Sequence, residues 1–367
     1  MDVTSQSSGQ GVAVRSSDRG SVTRSNRRLP GAFDMPSAPA ARETAAAPRA
    51  AVRGMTLTQL LVAVGVMSIL AGLVVGFYGT SGCPMRSPHV VVYTSQDQVY
   101  SEQILAEFTR ETGIQVRAVY DSEAVKTVGL ANRLLAEREN PQCDVWWSNE
   151  ELRTRQLAGE GVFDAAVPWK PFGFRSRKLV VNTNLISLAD APRSLKELTG
   201  EPWRGRVAMA YPMFGTTSVH MLALRQLWGV DDWRKWCEQI QANEAMVVDG
   251  NSVVVRLVGA GEAAIGLTDF DDIAAGRKNG LPIAAVEIEE TLFVPNTVAL
   301  VKGARNNASA QRLMDYLSSP KTVARLVEVN ALEGDVATNG QPDFPDWNGV
   351  LRDLETGTKE LSAVFLR

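Results

Sequence analysis

Histidine and cysteine are scarce in this chain: His89, His220, Cys83, Cys143 and Cys237 are the whole supply among 367 residues. So few imidazoles leave almost no room for histidine-based metal centres or a nucleophile–histidine triad. No Cys-x-x-Cys pair occurs, so neither a zinc site nor a disulfide framework follows from the cysteines. Missing after every predicted strand are a Gly-x-Ser-x-Gly elbow, a Walker A loop and a Gly-x-Gly-x-x-Gly fingerprint. Gly259-Ala260-Gly261 stands at a helix end before a strand, where a C-cap accounts for it. A dense Lys/Arg stripe is absent too. Beyond residue 53 the chain holds 30 basic and 37 acidic residues, a mildly acidic body that argues against a nucleic-acid partner.

What is present begins with a segment unlike the rest. Residues 1–53 carry eight Arg against four acids and are rich in Ser, Ala and Pro, without hydrophobic periodicity. Such a composition buries too little apolar surface to offset its ordering entropy, so residues 1–53 are expected to be a disordered tail. Residues 57–78 are almost wholly apolar and uncharged, long enough to span a bilayer. Arg42, Arg49 and Arg53 precede them, which by the positive-inside rule places the body outside the cytoplasm. Residues 54–83 therefore read as a membrane anchor or a lipoprotein signal. Thr80-Ser81-Gly82-Cys83 resembles a lipoprotein processing box with Cys83 as the lipidation site. Gly54 to Leu61 resembles a prepilin cleavage motif, with Gln59 where a Glu is usual.

From residue 89 the pattern becomes regular α/β. Apolar β-branched runs at 89–94, 114–119, 144–147, 179–181, 206–210, 246–248, 263–267 and 297–301 predict strands. Between and after them, helical spacing predicts helices over 125–138, 216–228, 232–240, 308–317, 321–329 and from 252. Another is anchored on Tyr100, Ile104 and Phe108 and stopped by Gly113. Strands alternating with helices imply βαβ units and largely parallel sheets. Ligands of such sheets sit at the carboxyl ends of the strands. The residues there are Thr94 to Asp97, Asp121 to Glu123, Ser148 to Glu151, Gly215 to Ser218, Asp249 to Ser252 and Thr268 to Asp272. All but Phe270 are glycines or small hydroxyl, amide and carboxylate side chains, which fits polar capture rather than covalent catalysis.

Tyr93-Thr94-Ser95, residues 108–116, Asp144-Val145-Trp146-Trp147, Trp203 to Val207 and Gly259-x-Gly261-Glu262-x-x-Ile265 match, in order, segments of the ferric-ion-binding proteins of ABC importers. Over about residues 90–335 the chain resembles that solute-binding family. The resemblance implies a two-lobed type II periplasmic-binding-protein fold with mostly parallel sheets and a central cleft, and an importer's receptor rather than an enzyme. Lobe one is expected from 88–178 plus 291–335, lobe two from 179–290 plus 336–367. The protein would work as a monomer with an ABC permease and its ATPase.

The family's metal ligands do not carry over. Its early His falls on Asp97, its Glu on Asn149 with Glu150 adjacent, and its paired tyrosines on Asp269 and Phe270. An oxygen-rich set remains. Asp97, Glu150, Asp269, Asp271 and Asp272 suit a hard cation such as Fe(III) as cargo, or equally a substrate ammonium group; Asp269, Asp271 and Asp272 also suit the start of a helix. Gly215, Thr216, Thr217 and Ser218, with Asn251 and Ser252, open helices whose free N–H groups favour an anion, though capping explains each start singly. Ser95, Asn149, Trp147 and Phe270 are expected to line the cleft. The open alternatives are a receptor for a phosphonate, a phosphorylated or a zwitterionic molecule, and a membrane-anchored sensor or pilin-like surface protein.

Overall fold

A computed structural model describes residues 56–59, 61–62, 64–69, 88–120, 126–336 and 345–366. The chain divides into two units, Met1–Ser81 and Gly82–Arg367. In the first, the described residues from 57 to 69 are helical and exposed, Leu57, Met67 and Ile69 among them. No helix among the described residues is long and apolar enough to cross a membrane. The expected tail at 1–53, Cys83, and Asp121 to Glu123 lie outside the described residues.

The second unit opens with β1 (His89–Thr94), α1 (Gln98–Thr112), β2 (Gln115–Val119), α2 (Lys126–Ala136), β3 (Val145–Ser148) and α3 (Leu152–Gly159). Ile104, Leu105 and Phe108 form the buried stripe of α1, and Gly113, at φ 73°, closes it by returning its N–H to Thr109. A left-handed residue there satisfies an otherwise orphaned carbonyl, and glycine adopts that conformation without strain. The long strand β4 (Lys170–Asn182) follows, then β5 (Val207–Ala210), α4 (Gly215–Trp228), α5 (Val230–Ala242), β6 (Met246–Val248), α6 (Asn251–Ala260), β7 (Ile265–Asp269), α7 (Phe270–Lys278) and β8 (Ile283–Val286). β9 (Phe293–Leu300), α8 (Asn307–Leu317), α9 (Pro320–Glu328) and α10 (Trp347–Phe365) complete the unit.

The strands run in the order β2-β1-β3-β9-β4-β7-β5-β6, with β8 beside β4. β1, β2 and β3 are mutually parallel, as are β5, β6 and β7. β4 joins the halves. Residues 170–176 pair antiparallel with β9, whereas 177–182 pair antiparallel with β7 and β8. One strand thus leaves the first lobe and enters the second between Ser176 and Arg177.

Each half-sheet is covered on both faces. The period-two alternation of a strand sends Trp147 and Val92 to the layer of Phe108, Leu313 and Leu326, while Trp146 and Tyr93 join Leu134 and Leu157 on the other side. Trp147, expected at the cleft, is therefore a core residue: both faces of β3 are packed, so neither Trp side chain is left for the ligand side. In the second lobe Leu179 and Val181 face Met209, Trp233 and Leu361, and Val180 faces Ala208, Val254 and Val258. Cys143 and Cys237 are free, buried thiols in different lobes.

α10 packs on α4, where Arg225 donates to Asp353 at 2.7 Å and to Glu360 at 3.0 Å. Its residues Trp347, Val350 and Leu354 share one apolar cluster with Leu152 of α3 and Leu222 of α4.

Gly266 lets α6 lie directly on β7, since a Cβ there would meet Val254 Cγ1 and stand 3.2 Å from the Ala208 carbonyl oxygen. Gly266→Ala is expected to lower stability by about 1–3 kcal/mol through overpacking, measured by urea unfolding; an unchanged midpoint would mean that α6 shifts freely.

Candidate functional site

The carboxyl ends of the parallel strands converge between the lobes. β1 delivers Ser95 to Asp97, and β3 delivers Asn149 and Glu150. Across the gap β5 leads into α4 at Gly215, β6 leads into α6 at Asn251, and β7 ends on Asp269. Gly215 holds φ at 53°, a left-handed value that lets the chain turn from Phe214 straight into the first turn of α4. A pocket between these ends is lined by Asp97 and Asn149 from the first lobe, Arg175 from β4, and Tyr211, Phe214 to Thr217, Asp249 to Asn251, Asp269 and Asp272 from the second. Its free volume is ≈ 30 Å³, well below the roughly 300–1,000 Å³ of ordinary small-molecule sites.

Asp269 is the centre of this arrangement. It starts α7 but makes no side-chain cap bond there. Its Oδ1 instead accepts from Arg177 Nη1 at 2.8 Å. Its Oδ2 accepts from Thr216 Oγ1 at 2.7 Å, from Asn251 Nδ2 at 3.1 Å, and from Arg175 Nε and Nη2, each at 3.4 Å. Burial alone would raise its pKa, but Arg177 and then Arg175 outweigh burial and hold it at about 2. Arg175 also places Nε 3.4 Å from Asp271 Oδ1. Burial opposes the charge on Arg175, yet Asp271 and Asp269 overcome it and raise its pKa, so it stays a guanidinium.

The helix starts are tied to the same carboxylate. Thr217 Oγ1 donates to Asn251 Oδ1 at 3.4 Å, and Arg177 Nη1 donates to the same oxygen at 3.1 Å. Asn251 Nδ2 donates to Thr216 Oγ1 at 3.3 Å. The first turns of α4 and α6 are thereby locked side by side. On the first-lobe side, Asn149 N donates to Ser95 Oγ at 3.0 Å, and Ser95 Oγ donates to Asn149 Oδ1 at 3.0 Å. A relay joins the lobes: Asn296 Nδ2 donates to Gln96 Oε1 at 2.7 Å, and Arg175 Nη1 donates to Asn296 Oδ1 at 3.1 Å.

Of the expected site residues, Asp97, Asn149, Gly215, Thr216, Thr217, Asn251, Asp269 and Asp272 line this one pocket. Ser95 stands behind Asn149. Glu150 is buried and accepts from Arg153 N with both oxygens, at 3.1 and 3.2 Å, and burial pushes it up to about 7 against the pull of Arg153. Asp271 is buried against Arg175, Ser218 is buried with no partner for Oγ among the described residues, and Ser252 is exposed on α6. Phe270 is half-buried, its ring centroid 5.4 Å from Lys178 Nζ. The carboxylates of Asp269, Asp271 and Asp272 offer oxygens within 4.8 Å of one another, but Arg175 already lies against the first two.

Sequence reasoning missed Arg175 and Arg177. Their signal was two cations at period two inside a run that becomes Leu179-Val180-Val181, which puts both on one face of a buried strand. Such charges need partners when buried.

Residues 89–328, well over half of the chain, match the model of the bacterial extracellular solute-binding protein family. The chain belongs to this family. A family member so placed is a binding protein, and the resemblance read from the sequence agrees with it. Over 268 residues the chain is 24% identical to the major ferric iron-binding protein of Neisseria meningitidis, covering 66% of this chain and 79% of the relative. Over 242 residues it is 24% identical to a putative 2-aminoethylphosphonate-binding periplasmic protein of Salmonella typhimurium, covering 61% and 70%. In fold it matches the periplasmic binding protein AfuA from Actinobacillus pleuropneumoniae, solved with fructose-6-phosphate. There the TM-score is 0.65 and the identity 19%, with 76% of this chain and 99% of AfuA covered.

The depressed pKa of Asp269 has a pH signature. Its contribution, on the order of 2 kcal/mol, is fully present above the ordinary carboxylate value of 3.8 and lost as pH falls toward 2. Asp269→Asn is expected to lose roughly 3–5 kcal/mol at neutral pH, because Arg177 stays buried without its counter-charge and Arg175 keeps only Asp271. The loss should shrink below pH 4 in unfolding curves taken from pH 7 to 2; a pH-independent difference would refute the assignment.

Proposed function

We propose that the protein is the extracytoplasmic substrate-binding component of an ABC importer, and that its cleft takes a small zwitterion: a phosphonate, phosphate or similar anion joined to an ammonium group. The observation that carries this reading is that helix starts and carboxylates line one pocket. It is lined by the adjoining starts of α4 and α6, with Gly215, Thr216, Thr217 and Asn251, and by the Arg175 guanidinium. Free N–H groups, hydroxyls and helix dipoles there favour negative charge. The same lining carries Asp97, Asp249 and Asp272, whose carboxylates suit an ammonium group. Asp269 then serves as the bracket that holds the helix starts together rather than as a ligand. The Salmonella relative's phosphonate and the fructose-6-phosphate of AfuA belong to the same chemical class of anion.

A metal cargo such as Fe(III), with a synergistic anion, is the second reading. It draws on the Neisseria relative, on the cluster of Asp269, Asp271 and Asp272, and on the small free volume, which by size alone favours an ion. Charge weighs more than size here: two of the three carboxylates are neutralised by a buried guanidinium, and a multivalent cation beside Arg175 would be repelled. The lobes would part and close about the crossings at 176–177 and 287–292, a hinge motion. In this reading residues 54–83 tether a monomeric body to the cytoplasmic membrane, where a permease and its ATPase receive the cargo.

Calorimetric titration of ligand-stripped protein with 2-aminoethylphosphonate, inorganic phosphate and Fe(III)-citrate separates the readings. The phosphonate is expected to bind best, weakened roughly tenfold by Thr217→Val and by Asp272→Asn, each of which removes one hydrogen-bonding or charged partner. Tight Fe(III) binding with no response to the phosphonate would overturn the zwitterion in favour of the metal.

A further inference from the structure

A cavity of about 540 Å³ opens between α3 and α10 and shares no lining residue with the cleft. That volume lies within the usual range of small-molecule sites, about 300–1,000 Å³. Its described lining holds three cations, Arg153 from α3 with Arg352 and Lys359 from α10, and one carboxylate, Glu355. Leu351 and Leu354 add apolar surface. Arg352, Glu355 and Lys359 follow helical spacing and so share one face of α10. Both α10 cations have an acid nearby: Lys359 Nζ stands 2.7 Å from Glu355, and Arg352 Nη2 stands 3.5 Å from Asp346. Asp353, on the same helix, is taken by Arg225 at 2.7 Å.

Arg153 differs from both. It is half-buried at the start of α3, and no carboxylate among the described residues lies within ion-pair distance of its guanidinium. Its Nη1 donates to a neutral partner, Gln156 Oε1, at 2.7 Å. Its Nε and Nη2 have no partner among the described residues, yet neither is closed off from solvent, which leaves both as open donors. Burial disfavours the charge and lowers the pKa of Arg153, and the pull of Glu150 offsets this only in part. A guanidinium keeps its proton regardless, so the unfavourable charge stays. Glu150 answers it poorly. Both of its oxygens accept from the Arg153 backbone N–H, and burial pushes it up to about 7, so much of it is neutral at physiological pH. A desolvated cation short of counter-charge, with two donors open and two more cations in the same lining, calls for an anion.

We propose that this cavity is a second binding site, for a small dicarboxylate with a short apolar spacer. One carboxylate takes the parallel Nε and Nη2 donors of Arg153, the fork geometry that suits it best. The other lies between Arg352 and Lys359, and the spacer packs on Leu351 and Leu354. A lone inorganic anion would leave most of so large a volume unfilled, and a cation is disfavoured by three positive charges against one negative. Because α3 follows β3 of the first half-sheet while α10 packs on α4 and α5, the bound dicarboxylate links elements of the two lobes.

The test is a calorimetric titration of the full chain with adipate at low ionic strength, where charge attraction is least screened. Saturable binding of one adipate per chain is expected. Arg153→Gln should weaken it roughly tenfold, and Lys359→Gln roughly threefold. Glu355→Gln removes the one carboxylate of the described lining and should tighten it. Glu355 and Lys359 are exposed, so their opposite shifts decide the matter should Arg153→Gln fold poorly. Arg110→Gln, an equal change of charge at an exposed position of α1, should leave binding unchanged. Three outcomes overturn the site. They are no saturation, equal weakening by Arg110→Gln and the cavity variants, which marks general charge attraction, or binding lost in Thr217→Val but kept in Arg153→Gln, which places the dicarboxylate in the cleft.

Discussion

Burying a carboxylate is unfavourable unless its charge is answered, and burying a guanidinium carries the same condition. Asp269, Arg175 and Arg177 meet both conditions together, at the point where β4 passes from one lobe to the other. The rest of the site is arranged around that group. Thr216 brings the start of α4 to Asp269, Asn251 brings the start of α6, and Arg175 extends the network to Asp271 and Asn296. Removing the carboxylate would leave Arg177 buried without its counter-charge and would take from both helix starts the acceptor they share. The charge is therefore a structural requirement of the site, fixed in place before any ligand enters the pocket that Asp269 lines.

The same group sits on the line along which the lobes communicate. Gln96 follows β1 in the first lobe, Asn296 belongs to β9, Arg175 to β4 and Asp269 to β7, and consecutive members are hydrogen-bonded. Tyr100 adds a second contact across the gap, its hydroxyl donating to the Asp271 backbone oxygen at 3.4 Å. On the crossing strand Lys178 is clasped between Glu287 at 2.6 Å and Glu333 at 2.7 Å. The crossing strand is thus held by charge on both faces, by Asp269 through Arg175 and Arg177 and by Glu287 and Glu333 through Lys178.

Much of the fold was legible because period and composition speak for themselves. The runs at 89–94, 246–248 and 263–267 overlap β1, β6 and β7, and the apolar spacing of Ile104 and Phe108 gave α1. The site was legible as a set of strand ends, since polar residues after buried strands have few other uses. What stayed hidden has physical causes. Most of β4 was missed because Arg175, Ser176, Arg177 and Lys178 break the apolar pattern of a buried strand, and only the three-dimensional pairing with Asp269 and Glu333 explains them. The helix α10 was missed because its buried residues, such as Val350, Leu354 and Leu361, face a surface formed only after α4 and α5 fold. Trp147 was placed at the cleft by alternation alone, which cannot tell a one-sided strand from one covered on both faces.

The two buried thiols carry a consequence for how the chain matures. A protein that folds in an oxidising compartment exposes every reduced cysteine to mispairing until it is shielded. Cys143 and Cys237 lie at 1% exposure in separate cores, and burial pushes Cys237 up to about 12 and Cys143 higher still. Thiolate is the reactive form, so neither thiol has appreciable nucleophilicity once its lobe has closed. Each lobe thus finishes its own redox protection as it packs. A bridge between these two thiols is therefore confined to chains that have not yet folded.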